Sequence, residues 1–434
     1  MIIVLVLNVF GHITCPWCNM LLGLLNLLLT TILRDLTVDI GDNTQSRGGE
    51  SVHLPSDICT VHKKFDLDPS THTYAVCPLC CCTYSVIEKG KWSAYPEHCM
   101  LKKYWGSKPC RQLLVRTTKH GSTKLTSPIK PFMVQDDGNF LAGLLSCPSM
   151  EEATEHGTLL NDEHQLWDIK DGTAITRIQG PDSKAFMDGL KRSDLRLAWS
   201  LSIDWFNPMG NKIGGKKKSV GSIVMTILNL PLSLWYKPEN IYLVGVIPGL
   251  REPSLDEINH ILCPLINTFL AAWKAGTWIT ETTTHTMGHL IWSVIGLVIT
   301  DLPAAWKISG FAAPTSQHLC NLCWLQKSDI GNFDTDNWEC CTCQEHWNAA
   351  TQWRDAETKK NMIRFSKKWG SAGLSFFVCH TGIPFVYLLS MGCTTFSWGW
   401  CSFNLGTSLS STHQEIKAYA DPRDRCPSLL ILPN

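Results

Sequence analysis

Two aspartates, Asp204 and Asp301, each close an apolar run, in "LSIDWF" and "LVITDLP". A carboxylate at a strand end is a rigid oxygen ligand for a hard divalent cation such as Mg²⁺. Two of them side by side suit a pair of Mg²⁺ or Mn²⁺ ions, the arrangement that polarises a nucleophile and steadies a leaving oxygen in phosphodiester chemistry. Asp204 would bridge both ions and Asp301 would hold one. After the first acid, Lys212, Lys216, Lys217 and Lys218 lie in "GNKIGGKKK", a loop suited to meeting phosphates through charge and backbone N–H groups. It is not a nucleotide-binding P-loop: Lys217 stands where Ser or Thr must reach Mg²⁺, and a strand-like run follows instead of a helix. The plainer reading of either aspartate is a turn former or helix cap, and Asp301 before "LPAA" fits a cap too.

The second chemistry belongs to sulfur. The chain holds 20 cysteines in 434 residues, and they bunch rather than spread, which favours metal ligation over a disulfide framework. Cys77 and Cys80 stand in "YAVCPLC", Cys99 in "YPEHC" and Cys110 in "SKPC". Two close thiolates, a loop and two more can wrap a tetrahedral Zn²⁺. Cys81 and Cys82 compete as ligands, and buried free thiols are the alternative reading. Residues 101–130 are basic and carry no acid, so Lys102, Lys103 and Arg111 beside this zinc site point to DNA contact. A further C-x-x-C, Cys320 and Cys323, follows the second acid. Its partners for zinc would be His346 or the cluster Cys340, Cys341 and Cys343, with ordinary buried cysteines as the rival.

These side chains need a frame. Residues 195–205, 219–231 and 240–249 are apolar and bounded by Gly, Pro or Asn, and read as three strands. Residues 254–276 have helical spacing, with a capping box of Ser254 and Glu257 and a stop at Gly276. A fourth strand, 289–301, ends on Asp301. Short connections make the first three strands an antiparallel meander, and the helix then carries the fourth back beside the first. That is a ribonuclease-H-like order within a mixed α/β fold, and it faces Asp204 and Asp301 on one site. Residues 136–156 read as a helix broken at Pro148, and the chain has no internal repeat.

Acids and bases balance, 38 against 38, which argues against a generally basic nucleic-acid binder but not against local patches. Residues 1–35 are strongly apolar. No basic residues precede the first run, as a signal peptide would want, and Asn8, Gly11, His12, Asn19 and Asn26 interrupt what a spanning helix would need. A buried or partner-binding helical pair is the preferred reading, with membrane association as the alternative. The expected division is an apolar helical segment (1–35), a linker (36–56), a basic zinc-ribbon-like region (57–130), a connecting region (131–194), the ribonuclease-H-like core (195–369) and an atypical tail (370–434).

The ordered motifs "LDPSTHTYAVCPLC", "YPEHC", "DWFNPMGNKIGGKKKSVGSIVMTILNLP", "PENIYLVGVIPGLREPSLDEINHILCPL", "TDLPAAWKISGF" and "HLCNLCWL" resemble the CACTA (En/Spm-like) transposases of the basidiomycete fungal branch, over residues 55–369. The resemblance implies a nuclear cut-and-paste DNA enzyme acting on transposon ends, capable of self-association, with its first two acids at Asp204 and Asp301. It also implies that the C-x-x-C of Cys320 and Cys323 pairs with His346. Two departures stand out: the third family carboxylate is missing, and Trp306 stands near a position where relatives carry a basic residue. Catalysis is therefore expected to be absent, and a zinc-dependent DNA-binding module without catalysis is the alternative. The tail suggests why the carboxylate is missing. "CHTGIP" can be encoded by TGC CAT ACT GGG ATC CC, whose neighbouring frame spells the family's "PYWDP", and "SMGCTTFSWGWC" likewise hides "DGMHNLFLGLV". A frameshift near Trp369 would make residues 370–434 non-native, with Trp398, Trp400 and Phe403 exposed.

Overall fold

The computed structural model describes residues 1–9, 13–38, 54–89, 92–120, 123–156, 169, 175, 178–187, 193–207, 219–249, 251–311, 316–318, 323–329, 331, 334, 338–339, 343–369 and 387–390. The lysine loop 210–218, most of the expected linker, Cys320, and the tail residues Trp398, Trp400 and Phe403 lie outside them. Two compact units divide the chain, Met1–Ser70 and Thr71–Asn434.

The first unit packs α1 (Ile2–Val9), α2 (Cys15–Val38) and α3 (Ile58–Lys64) around Val4, Cys18, Leu22, Ile58 and Val61. The asparagines that interrupt the apolar run fasten it together. Asn8 donates to the Ile13 carbonyl at 2.8 Å, and its Oδ1 meets His62 Nε2 at 2.9 Å. Asn19 accepts the Ile58 N–H at 2.8 Å, and Asn26 both donates to and accepts from the Leu54 backbone. A side-chain amide offers donor and acceptor together, so it closes loop ends that would otherwise carry unpaired peptide groups. The opposite face of α2 leaves Trp17, Met20, Leu24, Leu27 and Leu28 exposed. Cys15–Ile32 is long and apolar enough to cross a membrane, by length and composition.

The second unit is mixed α/β, built on one curled sheet. Its first strands are β1 (Thr71–Val76) and β2 (Thr83–Tyr84), followed by two small hairpins, β3 (Ile87–Lys89) with β4 (Trp92–Ala94) and β5 (Val115–His120) with β6 (Thr123–Pro128). Then come β7 (Pro131–Gln135), α4 (Asp137–Leu145) and α5 (Pro148–His156). Asp136 caps α4 by accepting the Asn139 N–H, and Pro148 opens α5, where its missing N–H costs nothing. The central strands are β8 (Leu195–Phe206), β9 (Val220–Ile227) and β10 (Tyr242–Ile247), with the short α6 (Leu232–Trp235) before β10. The long α7 (Leu255–Ala275) leads through β11 (Thr277–Ile279) to β12 (His289–Thr300) and α8 (Leu302–Ser309). Helices α9 (Cys343–Arg354) and α10 (Lys359–Trp369) and strand β13 (Tyr387–Ser390) complete the described elements.

The sheet order is β11-β12-β8-β9-β10-β7-β1-β2, with β13 also paired to β12. β8, β9 and β10 form an antiparallel meander, and β12 lies parallel to β8. A parallel pair cannot be joined by a tight turn, and α7 makes the crossover. Its buried face, Ile258, Ile261, Leu262, Leu265, Ile266, Phe269 and Trp273, recurs at helical spacing. Phe269 meets Trp199 of β8 edge-on at 5.7 Å, and Trp273 stacks on Phe186. β8 and β12 are covered on both faces, which is why their sequences read as near-continuous apolar runs rather than alternating ones.

The sheet does not stop at β10. It continues into β7 and β1, so the cysteine-bearing segment shares a sheet with the acid-bearing strands. Gly245 makes the join: a Cβ there would sit 2.5 Å from the Met133 carbonyl oxygen and 3.0 Å from the Phe132 ring.

Candidate functional site

The parallel register of β8 and β12 decides where the two acids fall. Leu201 lies opposite Val298, and Thr300 Oγ1 donates to the Ile203 carbonyl at 2.6 Å, a separation of 97 positions. Continued one residue past the end of β12, the same offset would bring Asp301 level with Asp204. Burial pushes the half-buried Asp204 carboxyl above its ordinary range; the Trp205 N–H pulls it down, and the negative charge of Asp301 pushes it up again. Asp204 therefore feels the negative charge of Asp301.

Each acid is also locally fastened. Asp204 Oδ1 accepts the N–H of Trp205 at 2.8 Å. Asp301 Oδ1 accepts the N–H of Ala304 at 2.9 Å and caps α8, so the capping role expected of Asp301 is real. Capping and metal binding do not compete here. The cap occupies one oxygen and fixes the side chain, and Oδ2 of both acids has no hydrogen bond among the described residues. Two neighbours that sequence reasoning passed over shape this corner. The Trp205 ring lies flat over Gly221, where a Cβ would approach it to 2.6 Å, and Lys307 Nζ sits 5.7 Å from the Trp205 ring centroid while pairing with Glu252 at 2.9 Å.

The four expected zinc ligands converge. The Sγ atoms of Cys77, Cys80, Cys99 and Cys110 all lie within 4.8 Å of one another, with Cys77–Cys110 at 3.8 Å and Cys80–Cys99 at 3.5 Å. A tetrahedral ion with bonds of about 2.3 Å needs sulfurs about 3.8 Å apart. Two turns present them. In the first, Cys77 N–H donates to the Cys82 carbonyl and Cys81 N–H to the Cys77 carbonyl; in the second, Cys110 N–H donates to Leu101 and Arg111 N–H to Cys99. A hydrogen bond from Cys80 holds the Cys77 thiol well below its usual range, and Cys80 as donor is pushed up. The expected competitors stay out. Cys81 takes a left-handed φ of 57° and receives Lys130 Nζ at 3.9 Å, while burial pushes the Cys82 thiol up to about 11.

Of the basic residues, Lys102, Lys103 and Arg111 are exposed beside the thiol cluster, and Lys103 pairs with Asp256 at 3.1 Å. Cys323 is buried. His346 lies in α9, but its side chain, like Cys320, falls outside the described residues. One cluster gave no signal in the sequence: Glu151, Glu155, His285 and His289, joined across more than 130 positions.

Residues 181–364 match the model of the transposase family tnp2. The match spans β8 to β12 and includes both Asp204 and Asp301, and it supports a transposon-derived transposase. No curated protein matches the chain.

Proposed function

We propose that the second unit carries a ribonuclease-H-like core of a CACTA (En/Spm-like) cut-and-paste transposase, with Asp204 and Asp301 as its metal-holding acids. The observation that carries the reading is the β8–β12 register, which makes the two acids neighbours inside the region matching the transposase family. The strand order supports it: an antiparallel meander, a helical crossover, then a parallel strand beside the first.

The acids fit a Mg²⁺ or Mn²⁺ ion: both are carboxylates, each has Oδ1 anchored by a backbone N–H, and each has Oδ2 open. Such an ion supplies a polarised nucleophile and charge stabilisation at the scissile phosphate. The chain's own residues do the rest. Asp204 and Asp301 would hold the ion in place, and Trp205 walls one side. Lys307, Lys212, Lys216, Lys217 and Lys218 offer positive charge to the DNA backbone.

The resemblance supplies matching positions for only two of the family's three acids, so the chain is proposed to bind DNA without completing strand transfer. The tail sequence bears on the cause: in the alternate frame, the aspartate of "DGMHN" spans the codons of Ser390 and Met391.

The four-thiol cluster suits a structural Zn²⁺, and with Lys102, Lys103 and Arg111 it supports the second reading, a zinc-dependent DNA-binding module in the nucleus. That reading draws on the completeness of the thiol set beside an incomplete acid set. Mn²⁺ titration followed by electron paramagnetic resonance separates the two. Weak Mn²⁺ binding lost on Asp204→Asn supports the transposase core; Mn²⁺ binding indifferent to both Asp204→Asn and Asp301→Asn leaves only the DNA-binding module.

A further inference from the structure

At the far end of β12 from Asp301, two pairs of side chains meet. Glu151 and Glu155 are four residues apart on α5, and therefore share a helix face. His285 lies in the turn before β12, and His289 is its first residue. One ligand atom from each of the four lies within 4.8 Å of the others.

The cluster is anchored as a ligand set is. Glu151 is fully buried. Its Oε1 accepts Thr282 Oγ1 at 2.5 Å and its Oε2 accepts the Thr284 N–H at 2.7 Å, which leaves the carboxylate oriented and unable to swing away. His285 Nδ1 lies 3.1 Å from Glu151 Oε1 and 3.8 Å from Glu155 Oε1. The two imidazoles stack with centroids 3.8 Å apart, bringing two ring nitrogens to one place. His289 is 3% exposed, and its Nδ1 has no hydrogen-bond partner. That nitrogen points to Glu151 Oε1 at 3.8 Å, too far to bond but close to the spacing of two ligands on one ion. A buried polar atom left unpaired costs about 1–3 kcal/mol, and nothing else among the described residues relieves it.

We propose that Glu151, Glu155, His285 and His289 form a second metal site, for a borderline divalent cation of the Zn²⁺ class. Two imidazoles with two carboxylates suit such an ion better than Mg²⁺ or Ca²⁺, which prefer all-oxygen shells. Two carboxylates and two neutral imidazoles balance its charge, and the half-exposed His285 and Glu155 give it a way in. The site stands 12 residues along β12 from Asp301, about 40 Å at the strand rise, so it serves structure rather than phosphodiester chemistry. It ties α5 to the β11–β12 turn, which Thr283 already bonds to the Leu145 carbonyl through both its N–H and its hydroxyl.

The test is Zn²⁺ titration of the metal-free full chain against a chromophoric chelator, with Co²⁺ substitution to tell the sites apart. One equivalent is expected beyond those bound by thiolates. Glu155→Gln and His289→Gln should each remove it, while the intense thiolate-to-Co²⁺ band of the cysteine sites remains. Glu155 is partly exposed, so its variant reports even where the buried His289 variant fails to fold. The full parental zinc content retained in Glu155→Gln, or a wild-type chain that binds no zinc beyond its thiolate sites, would overturn the proposal.

Discussion

Asp301, one residue past the end of β12, lies near enough to Asp204 of the adjoining β8 for its charge to raise the proton affinity of that neighbour. A raised carboxyl pKa means that the folded state favours the neutral acid. Asp204 thus contributes stability at low pH, and that contribution is lost as pH rises from the ordinary carboxylate range through its folded value. At pH 7 the metal-free chain carries the cost of two facing charges. Asp204→Asn should therefore raise the melting temperature of the metal-free chain at pH 7 and leave it nearly unchanged at pH 3. Added Mn²⁺ should stabilise the parent chain and not the variant. A variant less stable than the parent at pH 7 would count against the charge pairing.

Asp301 has two roles that substitution can separate. Asn preserves the cap on α8 while removing the charge, so Asp301→Asn should lose Mn²⁺ affinity and keep stability within a few tenths of a kcal/mol. Asp301→Ala should lose both, at a further cost of about 0.5–2 kcal/mol. Denaturant unfolding of the two variants beside Mn²⁺ titration reads the split.

The thiol cluster gives a sharper contrast. Cys77→Ser removes one of four converging ligands; since structural zinc contributes on the order of 10 kcal/mol to such folds, zinc content and cooperative unfolding of this region should both be lost. Cys81→Ser, adjacent in sequence to Cys80 but outside the cluster, should keep the zinc content of the parent chain. Elemental analysis of the two purified variants decides.

Gly245 is where β10 accepts β7. An alanine there meets the Met133 carbonyl oxygen, which belongs to the backbone and cannot turn aside. Gly245→Ala should cost about 1–3 kcal/mol, with hydrogen exchange accelerating first in β7 and β1 while β8 and β12 stay protected. Uniform exchange across the sheet would show that the β10–β7 seam is no weak point.

The tail makes a genetic prediction. Reading the encoding DNA one frame over beyond Trp369 should spell "PYWDP" and "DGMHN". A chain rebuilt in that frame would regain the aspartate of "DGMHN", and should gain Mn²⁺-dependent DNA nicking that Asp204→Ala abolishes. Absence of those segments from every frame would end the frameshift idea.

What the sequence determined by itself was local. Apolar runs marked β8, β9, β10 and β12, the Ser254–Glu257 box and Gly276 bounded α7, and cysteine spacing marked four thiols that converge, because strand burial, capping and turn geometry each act over a few residues. Even the capping role of Asp301 was legible in "DLPAA". Tertiary structure decided what depends on register and closure. The offset that faces Asp301 to Asp204 comes from a ladder laid down after a crossover. The β10–β7 seam rests on one missing Cβ against a distant carbonyl. Cys81 and Cys82 were excluded by backbone turns, not by spacing. The meeting of Glu151 with His285 and His289 left no trace in the pattern, because a helix face and a strand end separated by more than 130 positions become neighbours only when the sheet and its covering helices close on one core.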